Sequence, residues 1–215
     1  MTTLAAVELS GEAQSVVVAE VEATGNLEVL ARVNEPGGSL RLPSLLFDAA
    51  AQAGLGPREL GMIALGTAPQ DPRTTRVGMG LLRAYAAVAK VPFVAISAVE
   101  ALAFEARAGA PIGAILVPAL ALADGRVATA TFAIGEAGRI TRVLRECNVA
   151  PSEWVRLLAE AKLAFALGFG TGYAANRELV SELLPELAEA PSRPSAFGVA
   201  LAAAMLARGG SPAPA

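Results

Sequence analysis

Residues 62–104 read MIALGTAPQDPRTTRVGMGLLRAYAAVAKVPFVAISAVEALAF. A short apolar run, Met62–Leu65, passes into a proline-bearing loop at Gly66–Thr75. Arg76–Lys90 then carries helical spacing, Pro92–Ile96 is a second buried strand, and Ser97 or Ala98 begins another helix through Arg107. Strand alternating with helix in this way is the mark of an α/β sheet covered by helices.

Working outward, the N-terminal third predicts three antiparallel strands. Leu4–Leu9 and Ser15–Val21 are joined by a hairpin loop at Gly11–Gln14, and Leu27–Val33 follows a turn at Thr24–Asn26. Leu42, Leu45, Leu46 and Ala49 then follow a helical period that ends at Gly54. The C-terminal half nearly repeats the order. Ile112–Leu122 and Arg126–Ile134 flank Asp124-Gly125, a strong hairpin signal. Arg139–Arg145 reads as a third strand, and Pro151–Lys162 as a helix with Ser152 as cap and Glu153 in its first turn. Phe165–Phe169 is a short strand, Ala174–Leu187 a helix, and Ala196–Arg208 a last helix before a disordered tail, 209–215.

Three antiparallel strands followed by alternating helix and strand, done twice, is the plan of two ribonuclease H-like lobes of the actin-like ATPase superfamily. The predicted fold class is therefore α/β, with mixed sheets and three antiparallel strands leading each lobe. The first lobe spans 1–104, with the last helix (196–208) packing back on it. The second and smaller lobe spans 105–190.

Composition narrows the function. The 215 residues are 54% hydrophobic and 17% charged, enough apolar material for a large core. A net charge of −3, with Lys and Arg scattered, offers no basic field for strong direct nucleic-acid binding. The chain contains no histidine, which excludes a Ser-His-Asp or Cys-His pair and any His-ligated metal. One cysteine, Cys147, forms no internal disulfide and reads as a small buried hydrophobe. The longest apolar runs have about a dozen residues where a bilayer span needs ~20. No signal peptide opens the chain, so it is expected to be cytoplasmic, without membrane or cofactor.

Two helices carry too little polar surface. In Arg76–Lys90, Val77, Leu81, Ala84 and Val88 form one apolar stripe, and Met79, Leu82, Ala86 and Ala89 another nearly opposite. Such a helix is buried all round, or makes one contact within its own chain and one with a partner. Gly78, Gly80, Ala84 and Ala87 let a second backbone approach. The final helix has no charge before Arg208 and reads as packed in a groove.

Several segments resemble the TsaB/YeaZ family, a subunit of the machinery that makes threonylcarbamoyladenosine in tRNA. Pro69, Arg76 and Gly78 fall in register on that family's Gly-Pro-Gly-Ser-Phe-Thr-Gly-Leu-Arg-Ile-Gly loop. Ala84–Ala89, Val91-Pro92 and Ile96–Ala103 resemble its helix, its next strand entry and its Val-Ser-Ser-Leu-Glu-Ala-Leu-Ala. Gly168–Tyr173 and Pro194–Ala196 resemble later segments. The family's acidic turn after the first strand stands here as Val7-Glu8-Leu9-Ser10, its His before the first helix is lost at Ser39–Pro43, and its later Asp-Ala-Arg is Val117–Leu120.

The resemblance implies a non-catalytic subunit that pairs with a TsaD-like catalytic subunit, joined by a TsaE-like ATPase, with a homodimer as resting state. The implied interface is Arg76, Val77, Met79, Gly80, Leu82, Arg83 and Ala86. Two alternatives remain: an actin-like-fold small-molecule kinase or hydrolase using Glu8, Glu12 and Asp124, and a diverged homodimer with another partner. Against the kinase, Glu12 and Asp124 put negative charge where phosphate would sit, and Pro118 offers neither side-chain ligand nor N–H. A glycoprotease-like activity would need a His pair that is absent.

Other residues have ordinary readings. Arg76 is either a solvated cation or a charge kept for a partner, and Asp71 a turn former or a partner contact. Ser97 and Glu100 read as a capping box. Trp154 and Tyr173 belong to a core or a lobe interface, and Gly168, Gly170 and Gly172 to a flexible turn.

Overall fold

The computed structural model describes residues 1–9, 13–24, 26–36, 41–69 and 71–207. Of the first hairpin loop, Gly11 and Glu12 lie outside these, as does the tail expected to be disordered. The chain divides into two compact units, one made of Met1–Ala101 with the segment from Pro194, the other of Leu102–Arg193. The division falls inside helix α3 (Ala98–Ala106).

The first unit holds β1 (Thr2–Glu8), β2 (Ala13–Val21), β3 (Leu27–Pro36), β4 (Met62–Thr67) and β5 (Phe93–Ser97), in sheet order β3-β2-β1-β4-β5. The first three are antiparallel, and β4 and β5 run parallel to β1. Both faces of β1 are buried, which is why Leu4–Val7 is apolar without alternation. On one face Ala5, Val7, Val16, Val18, Ile63 and Leu65 meet α1 (Leu42–Gln52) and α2 (Pro72–Ala89). The other face is covered by α7 (Ala196–Ala207), which packs on β1, β2 and β4. Gly198, Val199 and five alanines of α7 are buried, so its lack of charge is explained inside the unit.

The second unit repeats the plan with one strand fewer. Strands β6 (Ile115–Ala121), β7 (Val127–Ile134), β8 (Ile140–Val149) and β9 (Ala166–Phe169) lie in order β8-β7-β6-β9. The first three are antiparallel and β9 is parallel to β6. Helix α4 (Pro151–Ala161) seats Trp154 on a core of Val117, Val127, Tyr173, Val180 and Leu184. Trp154 and Tyr173 are thus core residues of this unit. The α/β fold, with three antiparallel strands leading each sheet, is the ribonuclease H-like arrangement that the sequence predicts.

Several boundaries differ from the sequence reading. Helix α2 begins at Pro72, four residues before Arg76, because Asp71 caps it. Strand β8 runs on to Val149, its register shifting twice opposite Thr129–Phe132. Helix α4 has Ala150 rather than Ser152 at its cap position, and Pro151 opens it. The helix expected over Ala174–Leu187 is two short pieces, α5 (Thr171–Ala175) and α6 (Arg177–Val180). Pro185 stops it, and the following residues pair with β9: Gly168 N–H donates to Pro185 O, and Leu187 N–H to Gly168 O.

Candidate partner surface

The start of α2 is fixed twice. The Asp71 carboxylate accepts from Thr74 N–H at 3.0 Å as the helix cap, and hydrogen bonding from the Thr74 hydroxyl, then from this N–H, holds its pKa below the ordinary aspartate value. Buried Thr75 accepts from Ala68 N–H at 3.2 Å and donates to Ala68 O at 3.3 Å, tying the loop to the helix. Gly78 lets the helix approach the end of β1, since a Cβ there would lie 2.3 Å from Leu9 Cδ1. The helix ends at Lys90 in the left-handed conformation (φ 58°), with Val91 N–H donating to Ala86 O.

This seating decides which apolar stripe is free. Thr75, Gly78, Leu82 and Ala86 point inward, and Leu82 is 2% exposed. Val77, Leu81 and Val88 are 41%, 38% and 86% exposed, with Gly80, Ala84 and Ala87 exposed beside them. Positions 77, 81, 84 and 88 share one helix face. On the same unit the exposed Phe47 ring of α1 lies 6.1 Å from Tyr85 at 58°.

The seven interface residues implied by the resemblance are therefore divided. Val77, Gly80, Arg76 and Arg83 are exposed and Met79 is half-buried. Leu82 and Ala86 are core residues and are corrected: they pack with Leu42, Leu45 and Leu65, and no partner reaches them while the unit is folded. Leu81, Ala84, Val88 and Phe47, outside that set of seven, are exposed as well. Phe47 was legible, because the inward set Leu42, Leu45, Leu46 and Ala49 leaves it outward. The two stripes of α2 were equally apolar, and only the buried Thr75 and Gly78 mark the inner one. Arg83 lies 5.5 Å from the Phe93 ring. Arg76 is the fifth helical residue.

The residues that a kinase reading would use sit differently. Glu8 is buried under α7, and its carboxylate fills the space over Gly66, where a Cβ would lie 1.9 Å from Oε2 and 3.0 Å from Val199 Cγ2. Asp124 accepts from Arg126 N–H at 3.1 Å and pairs with its guanidinium at 2.7 Å, which draws its pKa down. Pro118 O accepts from Thr129 at 2.8 Å. Among the described residues no three His, Cys, Asp or Glu side chains cluster to hold a metal. Ser97 does cap α3, accepting from Val99 N–H at 3.2 Å.

Cys147 is half-buried rather than buried, its thiol pKa pushed up by burial and by Glu153 and Glu146. Gly168 within β9, with Gly170 and Gly172 after it, forms a tight junction, not a flexible turn. A Cβ at Gly168 would meet the Tyr173 ring at 2.5 Å, and one at Gly170 (φ 97°) would lie 2.3 Å from Ala119 O.

The model of the family described as TsaD, tRNA N6-adenosine threonylcarbamoyltransferase, matches residues 38–191. The chain belongs to that family. Two solved structures share its fold. One, a Pseudomonas aeruginosa protein described as similar to the peptidase YeaZ, has a TM-score of 0.75 at 23% identity, covering 98% of this chain and 94% of that one. The other, YeaZ from the same organism, has a TM-score of 0.72 at 22% identity, covering 97% and 94%. The chain is thus a YeaZ-like (TsaB-like) member of the TsaD family in length and fold. No curated protein sequence matches it. No helix among the described residues is long and apolar enough to cross a membrane.

Proposed function

We propose that this chain is a non-catalytic subunit in threonylcarbamoyl modification of tRNA, docking through the outer face of α2 and Phe47 onto a TsaD-type catalytic subunit. The observation that carries the reading is the stripe of Val77, Leu81, Ala84 and Val88, left exposed on a helix whose other stripe already fills the core. A soluble domain keeps such a face apolar when a second surface covers it. Gly80, Ala84 and Ala87 allow backbone-close packing, and Arg76 and Arg83 supply cations at the rim, where charges set orientation more than affinity.

Composition supports the non-catalytic reading. A chain with no histidine and three aspartates has few groups for metal-assisted transfer, and one of those aspartates caps α2 while another pairs with Arg126. The basic groups are scattered, so tRNA is held mainly by other subunits, among them a TsaE-like ATPase. A homodimer through the same face is the resting state without the partner.

The test is co-purification with the TsaD-type protein of the same organism. Wild type binds it, and Leu81→Glu and Val88→Glu lose association at least tenfold while retaining the wild-type circular dichroism spectrum. Undiminished binding in both variants would remove α2 from the interface. Micromolar binding of Mg-ATP by the isolated chain, measured by calorimetry, would favour the kinase reading instead.

A further inference from the structure

The outer face of α2 carries charge of one sign. Arg73, Arg76 and Arg83 are exposed along it, Lys90 is exposed at its C-terminal end, and no acid lies between Pro72 and Lys90. The chain as a whole has a net charge of −3. Arg73 lies one turn before Val77, Arg76 one turn before Gly80 and Arg83 one turn before Ala87, so the cations border the apolar stripe. Arg73 acts on the Asp71 carboxylate at its own helix start, and Arg83 lies over the Phe93 ring. None of these cations forms a salt bridge among the described residues. On α1, Asp48 beside Phe47 is the single acid, and it is exposed.

Given α2 as the docking helix, the reading proposed above, we infer that the protein face covering it bears carboxylates opposite Arg73, Arg76 and Arg83. These charges select a different protein over a second copy of this chain. Guanidinium and carboxylate pair in a two-pronged geometry, so such a face gives orientation as well as attraction. A neutral apolar face would take water from the arginines and return no partner. A second copy meets the same difficulty more strongly. In any register or direction, α2 against α2 brings cation to cation, with Asp48 alone to oppose them. Repulsion of this kind gives specificity while leaving the apolar contact in place. A nucleic-acid backbone would neutralise the cations but leave Val77, Leu81 and Val88 uncovered, so the stripe favours protein over RNA. The homodimer is thus the weaker of two assemblies that share one face.

The test follows two associations of the wild-type chain against salt: the homodimer by sedimentation velocity, and the complex with the TsaD-type protein of the same organism by interferometry. Raising NaCl from about 50 mM to about 500 mM weakens the complex at least about fivefold and tightens the homodimer. The double variant Arg73→Glu, Arg76→Glu keeps the wild-type circular dichroism spectrum, since carboxylates near a helix N-terminus suit its dipole. It binds the TsaD-type protein at least about tenfold more weakly, and it forms a mixed dimer with wild type that is tighter than the wild-type homodimer. A complex that Leu81→Glu disrupts but salt leaves unchanged overturns the inference and leaves the proposed function standing. So does a homodimer that salt loosens. A wild-type chain that does not bind the TsaD-type protein overturns both. Binding of an unmodified tRNA transcript that the double variant abolishes, with the protein complex unaffected, assigns the cations to RNA and overturns the inference as well.

Discussion

Two glycines of the first unit behave in opposite ways on gaining a methyl group. At Gly66 the new Cβ would lie 1.9 Å from the Glu8 carboxylate and 3.0 Å from Val199. Moving a buried carboxylate and overpacking the α7 interface should cost about 1–3 kcal/mol in Gly66→Ala, read as a lower urea midpoint. At Gly80 nothing lies within 4 Å, and the position is an exposed helix interior. Gly80→Ala should therefore stabilise by about 0.5–1 kcal/mol in the same titration. Asp71 gives a pH signature. Its folded pKa is depressed by hydrogen bonds from the Thr74 hydroxyl and N–H, so its contribution is complete above the unfolded value and lost as pH falls below about 4. Asp71→Ala should lower stability by about 0.5–2 kcal/mol at neutral pH, and its difference from wild type should shrink on acidification. An unchanged difference at pH 3 would contradict the cap.

At the scale of the element, α2 has one buried stripe and one exposed stripe. Leu82 packs among Leu42, Leu45 and Leu65, and Leu82→Ala should cost about 2–5 kcal/mol in chemical denaturation. Leu81→Ala and Val88→Ala, two turns apart on the outer stripe, should stay within about 0.5 kcal/mol of wild type in the free chain. Their effect should appear in the off-rate from the partner. The sequence made α2 legible as a helix that is apolar all round, and it made Asp71–Pro72 legible as a start only in hindsight. It did not say which stripe is covered, because Val77-Leu81-Val88 and Met79-Leu82-Ala86 are equally apolar. The Ala174–Leu187 segment failed for a related reason: its helical period is real, but Pro185 and the pairing with Gly168 outweigh local propensity.

For the whole molecule, the expected resting state is a concentration-dependent homodimer, seen by sedimentation velocity, that Val88→Glu converts to monomer. Chelation with EDTA should leave Tm unchanged, since among the described residues no cluster of ligating side chains exists. A drop of several degrees would reveal a metal site. The duplicated strand–strand–strand order, the turn at Asp124-Gly125 and the absence of His chemistry were fixed by the amino-acid order alone, because hairpins, periodicity and composition are local properties. Folding alone decided that Glu8 is buried beneath α7, that Leu82 belongs inside and Leu81 outside, and that Trp154 is the residue α4 buries fully. Each of these depends on which residues distant in sequence arrive at the same place, and burial is settled by that meeting.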